Sequence, residues 1–292
     1  MKKITLIFFL ISGSLRAQLP SFDIFTTSLS FQNGTFSIGA VKNITGYPGY
    51  DNQPAFSPDG KHIYFSSVRG NDQSDIYAYS MQDNSITLIT KTPESEYSPV
   101  FSEDGKYFTV VRVEMDTVQR MWMFKKNGTK PKVIMPNIDS IGYYGRIDKT
   151  HFALWMLNGD TLPEGNLLLA DIDGSHQKII DKKIGRCIKM IPGENAFSYI
   201  IKESEHTYLM KKYDLATGEI SVITKLPGVS EDYVWTSNGK ILMPRYNQLW
   251  MLDYKGTNAW TLVATVDTLI GKKIYRLALS PDNTTLAFVA DE

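Results

Sequence analysis

The chain has 292 residues, a formal net charge of zero and a hydrophobic fraction of 42%, a composition typical of a globular protein. Without a basic excess it lacks the surface that displaces counterions from nucleic acid, so we expect no nucleic-acid partner. The single cysteine, Cys187, cannot form an internal disulfide, and without metal-ligating neighbours in the sequence it indicates a buried strand residue.

The N-terminal segment has the layout of a cleavable signal peptide. Two lysines precede an apolar run from Ile4 to Ile11, and small residues follow up to Ala17. The run is well short of the roughly 20 residues that a membrane-spanning helix needs. We therefore expect residues 1–17 to be removed, leaving a mature chain with 28 basic and 31 acidic residues, no transmembrane segment and a periplasmic or secreted location.

Short strand-like runs alternate with turns through the rest of the chain, most clearly from Pro54 to Ser67. Ser57-Pro58-Asp59-Gly60 has the composition of a type I turn closed by glycine, and the apolar runs on either side predict a hairpin. Further runs at Asp75–Tyr79 and Ser85–Ile89 complete a four-stranded unit. Four strands in about 40 residues are typical of one blade of a β-propeller.

The turn recurs through the chain at intervals of 44 or 45 residues. Copies begin at Ser57, Ser102, Ile147, Pro192, Thr236 and Ser280. Six copies predict six four-stranded antiparallel blades. Only one strand, Leu286–Ala290, follows the last turn. Residues 22–45, with strand-like runs around a turn at Asn33-Gly34, are predicted to complete that blade by pairing with residues 274–292, which closes the ring and covers two sheet edges.

The repeated Ser-Pro-Asp-Gly-Lys, followed by an apolar strand and then Asp-Ile-Tyr or a related triplet, resembles the repeat of TolB-like six-bladed β-propellers. The related triplets are Arg120-Met121-Trp122 and Gln248-Leu249-Trp250. The resemblance covers nearly all of the mature chain and is strongest in the first, second and sixth copies. It implies an exported platform for protein interactions, or in some relatives the gating domain of a hydrolase. We expect neither the α/β domain that precedes the propeller of TolB nor a hydrolase domain.

No nucleophile elbow, zinc-protease motif, phosphate loop or Cys-x-x-Cys motif is present, so we expect no cofactor and no metal. Asp171–Ser175 vaguely suggests a calcium loop, but it lacks the third acidic position and the distal glutamate, and its register predicts an ordinary turn. His62, His151 and His176 map to the face of the ring that carries the turns, here the turn face. Only His206 maps to the opposite face, so the histidines are too scattered for a metal site.

The opposite face, here the loop face, carries the loops between second and third strands and the crossings between blades. It is rich in tyrosine, arginine and carboxylates, which bury large areas while keeping hydrogen bonds. The candidate ligand-binding residues are Tyr50, Asp51, Gln53, Arg69, Glu96, Tyr97, Arg112, Tyr143, Arg186, Asp232, Tyr233, Arg245, Tyr246 and Arg276. The loop Met156–Asn166, longer than its counterparts, is expected on the same face. Because tyrosine and arginine also close the ends of propellers, a purely structural role stays open.

Two classes of function fit this pattern. The first is a non-catalytic, monomeric binding or scaffold module at the cell envelope, with a protein or glycan partner. The second is a propeller enzyme, a carbohydrate lyase or hydrolase, that uses carboxylates at the channel mouth. The carboxylates available are those of Asp51, Glu96, Glu231 and Asp232. Two of them within roughly 5–10 Å in a deep pocket would favour the enzyme.

Overall fold

The computed structural model describes residues 20–32, 35–70, 72–157 and 165–292. Within these ranges the chain is all-β apart from a 3-10 turn at Asp267–Leu269, and no helix is long and apolar enough to cross a bilayer. The predicted signal peptide, the turn at Asn33-Gly34 and residues 158–164 of the long loop lie outside the described residues.

The strands form antiparallel sheets in which sequence neighbours are mostly also sheet neighbours. The first twelve are β1 (Phe22–Gln32), β2 (Thr35–Ile38), β3 (Lys42–Asn43), β4 (Asp51–Phe56), β5 (His62–Val68), β6 (Ser74–Ser80), β7 (Ile86–Leu88), β8 (Ser95–Phe101), β9 (Tyr107–Val113), β10 (Gln119–Lys125), β11 (Lys132–Ile134) and β12 (Ile141–Arg146). The next twelve are β13 (His151–Met156), β14 (Gly165–Asp171), β15 (Lys178–Met190), β16 (Ala196–Ser204), β17 (Thr207–Asp214), β18 (Ile220–Lys225), β19 (Val234–Trp235), β20 (Lys240–Arg245), β21 (Gln248–Asp253), β22 (Trp260–Thr265), β23 (Ile274–Leu279) and β24 (Thr285–Asp291).

Three sheets contain four consecutive strands each, β4–β7, β8–β11 and β19–β22. A seven-stranded sheet runs from β12 to β18 because β15, 13 residues long, serves two four-stranded units. The first part of β15 pairs with β14, and its second part pairs with β16. The repeat pattern did not predict this shared strand. The last sheet has the order β2-β1-β24-β23, with β3 also beside β1.

The N-terminal strand β1 lies next to the C-terminal strand β24. The two pair from Phe22 opposite Asp291 to Ser28 opposite Thr285, and the rest of β1 pairs with β2. Ile24 is fully buried and belongs to an apolar cluster that joins the sheet of β1 and β24 to the β4–β7 sheet. The two ends of the described chain are therefore tied together by backbone hydrogen bonds and by side-chain packing.

The repeated turn has the predicted chemistry. The Gly60 N–H donates to the Ser57 carbonyl over 2.8 Å, and the Ser57 hydroxyl donates to Asp59 Oδ1 over 2.5 Å. Gly60 has φ +68°, a conformation that glycine adopts without strain. Related turns start at Ser102, Thr236 and Ser280. The fourth turn begins at Ile191, one residue before the predicted position.

The hydrophobic core lies between neighbouring sheets. Tyr64 and Ile76 of the β4–β7 sheet pack in one cluster with Phe108 and Phe124 of the β8–β11 sheet. The rings of Phe108 and Phe124 stack with centroids 5.4 Å apart. Because both faces of a sheet contribute to such clusters, side chains on both faces of strands such as β5 and β9 are buried.

We expect Ile24→Ala to lower the free energy of unfolding by about 2–5 kcal/mol, because it leaves a cavity between the first and last sheets. Urea denaturation of a protein comprising residues 18–292 measures the loss. Ser30→Ala, at an exposed position of the same strand, should change stability by less than about 0.5 kcal/mol. Similar small effects for both variants would show that β1 is not packed as described.

Candidate functional site

The first strands of the four-stranded units surround a central cavity of about 470 Å³. Towards the loop face the cavity is lined by one polar side chain from each unit. This polar ring consists of Gln53, Ser98, Tyr143, Arg186, Asp232 and Arg276. Further along the same strands, towards the turn face, the lining becomes largely apolar. This apolar shaft includes Phe56, Val100, Phe101, Met190 and Leu279.

β-bulges help to set the orientation of the polar ring. The pairing of β4, β8 and β12 with the following strand shifts register close to Gln53, Ser98 and Tyr143. Gln53 and Ser98 have φ of +58° and +55°, an uncommon conformation for residues other than glycine. Gln53 Oε1 accepts hydrogen bonds from the Ser98 N–H at 2.9 Å and the Ser66 hydroxyl at 2.8 Å. The bulges thus re-aim side chains next to the cavity and link two sheets.

Arg276 is held in place by two neighbours in the ring. Its Nη1 lies 3.5 Å from Asp232 Oδ2, and its guanidinium carbon lies 4.9 Å from the ring centroid of Tyr143. Asp232 Oδ1 also accepts the N–H of Leu277 over 2.9 Å. Burial alone would raise the pKa of Tyr143, but the charges of Arg276 and Arg186 outweigh burial and lower that pKa. The positive charge of Arg276 is therefore largely compensated within the ring.

Arg186 lacks such a partner. Its Nε is buried without a hydrogen bond, and no carboxylate of the described residues is within ion-pair distance of its guanidinium. Glu231 accepts the backbone N–H of Arg186 at 3.3 Å, but its charge is paired with Lys202 at 2.7 Å. The hydroxyl of Ser98 is likewise buried without a partner. The polar ring thus holds two unsatisfied polar groups, one of them charged.

Tyrosine rings lie beside the polar ring. Tyr50 packs edge-on against Tyr97 with centroids 6.4 Å apart, and it also contacts Phe22 at 6.2 Å. Burial raises the pKa of Tyr50 far above its usual value, against the opposing effect of Arg276, and burial also raises the pKa of Tyr97. Both phenols therefore stay protonated at neutral pH and can donate hydrogen bonds.

Four other predicted residues form ion pairs away from the cavity lining. Asp51, only 1% exposed, lies 3.2 Å from Arg69, and burial raises the pKa of the Asp51 carboxyl. Glu96, fully buried, lies 3.0 Å from Arg112, whose other side pairs with Glu94 at 2.9 Å. The charges of these side chains compensate one another at the loop-face ends of their sheets, while Glu96 Oε2 and Arg112 Nη2 are buried without a hydrogen bond.

Tyr233, Arg245 and Tyr246 are also outside the cavity lining. Tyr233 is fully buried, and its hydroxyl forms a 2.8 Å hydrogen bond with that of Ser198, so it belongs to the core rather than to a surface. Arg245 and Tyr246 are exposed at the end of β20, where Tyr246 is 67% accessible. Ser98 was not among the residues predicted from the sequence, although the repeat interval points to it: Ser98 lies midway between Gln53 and Tyr143 in the sequence.

The histidines are less scattered than predicted. Asp171 lies 3.4 Å from His151 Nε2 and 2.7 Å from His176 Nδ1, and Asp148 holds the other nitrogen of His151 at 2.7 Å. Within the described ranges, no group of three or more histidine, cysteine, aspartate or glutamate residues is arranged to hold a metal. The Asp171–Ser175 segment forms the predicted turn, with the Gly174 N–H bonded to the Asp171 carbonyl over 2.8 Å.

Cys187 has the buried strand position predicted for it. It lies on β15 next to Arg186 and is only 5% exposed. Burial raises the pKa of its thiol to about 12, so the thiolate needed for nucleophilic chemistry is scarce at neutral pH.

Comparison with known proteins shows the fold. No family model matches the chain. A stretch of 53 residues, 18% of the chain, is 40% identical to the Tol-Pal system protein TolB of Francisella tularensis subsp. mediasiatica, and the match spans 12% of the length of that protein. The structure of a TolB protein from Agrobacterium tumefaciens superposes with a TM-score of 0.67 and 13% identity over 92% of this chain and 98% of the other. The chain has a TolB-like β-propeller fold.

The same propeller fold also occurs in an enzyme. An oligogalacturonate lyase in complex with manganese is similar with a TM-score of 0.60 and 13% identity, covering 88% of this chain and 82% of the lyase. At such identities the likeness concerns the fold alone. The predicted resemblance to TolB-like propellers is confirmed, and the four-stranded units are called blades from here on.

We expect Glu96 to make folding stability fall as the pH rises. Burial raises the pKa of its carboxyl to about 7, although Thr92 and Arg112 oppose the shift. The pKa of Glu96 in the folded protein lies above its pKa in the unfolded chain. The contribution of Glu96 to the free energy of unfolding is therefore complete below about pH 4 and is lost as the pH rises through about 7. Glu96→Gln should flatten the fall in unfolding free energy between about pH 5 and 8 by on the order of 2 kcal/mol.

Denaturant titrations at several pH values measure this slope. Asp104→Asn is the matched control, because hydrogen bonds from Ser102 and Lys106 lower the pKa of Asp104 and keep it ionised across the window. This control should leave the slope unchanged. The assignment is wrong if Glu96→Gln and the native protein lose stability in parallel.

Proposed function

We propose that the protein is an exported, non-catalytic propeller that binds a protein or glycan partner at the cell envelope through the loop-face end of its channel. The observation that supports this is the polar ring, where Arg186 and Ser98 carry unsatisfied polar groups at the entrance to a cavity of about 470 Å³. Buried polar groups normally have partners, so unpaired polar groups beside a cavity favour a binding role for this end of the cavity. In this proposal the mature chain is residues 18–292, periplasmic or secreted, and monomeric.

We propose six blades in a closed ring. The blades are β4–β7, β8–β11, β12–β15, β15–β18, β19–β22, and a last one built from β23, β24, β1 and β2. The six residues of the polar ring, one from each proposed blade, support the count of six blades. The antiparallel pairing of β1 with β24 supports closure by N-terminal strands, which leaves neither end of the ring with a free sheet edge.

A binding role fits the carboxylates better than the alternative of a lyase or hydrolase. Acid–base catalysis on a glycoside needs two carboxylates that reach the substrate. The only acidic residue that lines the cavity in the described part of the chain is Asp232. All four carboxylates predicted for an enzyme have a cation nearby: Asp51 with Arg69, Glu96 with Arg112, Glu231 with Lys202, and Asp232 with Arg276.

The envelope location rests on two supports. The N-terminal segment has the composition of a signal peptide. The short match to a Tol-Pal system protein and the shared propeller fold favour an exported interaction platform. The mature chain has no basic excess, which disfavours nucleic acid as a partner.

Affinity capture from a native envelope extract tests the proposal. Tyr97→Ala and Arg186→Ala in the immobilised mature protein should each reduce recovery of the partner by about tenfold or more, because central aromatic and arginine residues carry most binding energy. Lys106→Ala, exposed on the turn face, is the control and should capture normally. Arg276 is unsuitable for this test, since its removal leaves buried Asp232 unpaired and costs about 3–5 kcal/mol of stability.

The proposal fails if both loop-face variants capture as much as the native protein. It fails equally if only the turn-face control loses the partner. Thermal denaturation of each variant establishes that lost capture is not lost folding.

A further inference from the structure

We infer that the polar ring recognises a free carboxylate, and that the ligand is the C-terminus of a partner protein ending in an apolar residue. This inference rests on the proposed function and specifies its ligand. Three features of the cavity support the inference. They are an arginine without a carboxylate partner, hydrogen-bond donors without an acceptor, and the apolar shaft.

The charge of the ring favours an anion. Arg276 is compensated by Asp232, and Lys202 is compensated by Glu231. Two cations of the cavity lining, Arg186 and the exposed Lys189, have no ion-pair partner among the described residues, and of these two only Arg186 belongs to the polar ring. A carboxylate is the group that best relieves this, because its two oxygens match the parallel N–H groups of a guanidinium.

Neutral hydrogen-bond donors in the polar ring also favour a carboxylate ligand. The Ser98 hydroxyl is buried in the same ring without a partner. The phenol of Tyr143 is polarised by Arg276 and Arg186, whose charges lower its pKa, so it donates strongly to an acceptor. Asp232 does not oppose an anion strongly, since its charge is paired with Arg276 at 3.5 Å and its Oδ1 accepts the Leu277 N–H.

The apolar shaft favours a carboxylate ligand that carries an adjacent apolar group. Arg186, Ile188 and Met190, two residues apart, share one side of β15 and line the cavity; Cys187 and Lys189, on the other side of the strand, also line it. From Arg186 to Met190 the strand advances roughly 13 Å, at about 3.3 Å per residue, which is depth for one or two side chains. The shaft is closed in by Phe56, Phe101 and Leu279, which offer no hydrogen bonds from their side chains.

The C-terminal residue of a polypeptide places a carboxylate and an apolar side chain on the same carbon atom, as this arrangement requires. A sugar acid would bring hydroxyl groups into the shaft and leave them unpaired, at a cost in free energy. An acidic side chain within a loop would bring a carboxylate without an adjacent apolar group. Capture of a terminal carboxylate by converging donors is a known mode of peptide recognition.

Matched peptide pools test the inference. Fluorescent octapeptides with random sequences and a fixed terminal leucine are titrated with the mature protein as free acids and as C-terminal amides, and anisotropy reports binding. We expect the free acids to bind at least about tenfold more tightly, because the amide loses a charge-assisted hydrogen-bonded pair. Arg186→Gln should abolish the difference between the two pools. Arg120→Gln, on an outer strand and paired with Glu114, is the control and should preserve it.

The inference is overturned if the two pools bind equally, or if the free acids fail to bind at about 1 mM, the weak limit of specific recognition. An oligogalacturonate titration forms a second arm. Binding of the sugar acid that depends on Arg186, without peptide binding, refutes the C-terminal ligand and leaves the proposed function standing. The proposed function fails separately, when the Tyr97 and Arg186 variants leave envelope capture unchanged.

Discussion

Packing between neighbouring blades is the constraint on which the rest of this structure depends. Each sheet is apolar on both faces, so each must bury two surfaces, and the clusters that join adjacent sheets satisfy this requirement. The innermost strands are an exception, because they converge on a cavity where no neighbouring sheet can cover them. Polar side chains can line this cavity without disrupting the hydrophobic core. The cavity is therefore the part of the fold that can accommodate a binding site.

On the loop face, ion pairs distinguish the charged side chains that stabilise the fold from those that are available to a ligand. Asp51, Glu96 and Asp232 each face an arginine, and burial raises the pKa of the first two carboxyls. Removing one partner of such a pair would leave a buried charge behind, which makes these residues parts of the scaffold. Arg186 in the polar ring has no carboxylate within ion-pair distance among the described residues, and the proposed preference for an anion rests on this difference.

The blade turns and the polar ring lie at opposite ends of the same strands. The Ser57 turn depends on hydrogen bonds within a few residues, and its copies keep that pattern although individual residues change. The ring residues differ from blade to blade, from glutamine to serine, tyrosine, arginine and aspartate. A shared local geometry at one end thus allows variation at the other end without loss of the fold.

The amino-acid sequence was sufficient to predict the turns, the repeat interval and the propeller fold, because the Ser57 and Gly60 chemistry is local and recurs at a readable spacing. It also predicted that tyrosines and arginines gather on the loop face. Which of these polar residues are free depends on the tertiary structure: Tyr233 is buried in the core, Glu96 is paired, and Arg186 is not. Several of the deciding contacts, such as that between Asp232 and Arg276, join residues of neighbouring blades about one repeat apart. No local pattern specifies such a partner, because pairing depends on how neighbouring blades meet around the channel.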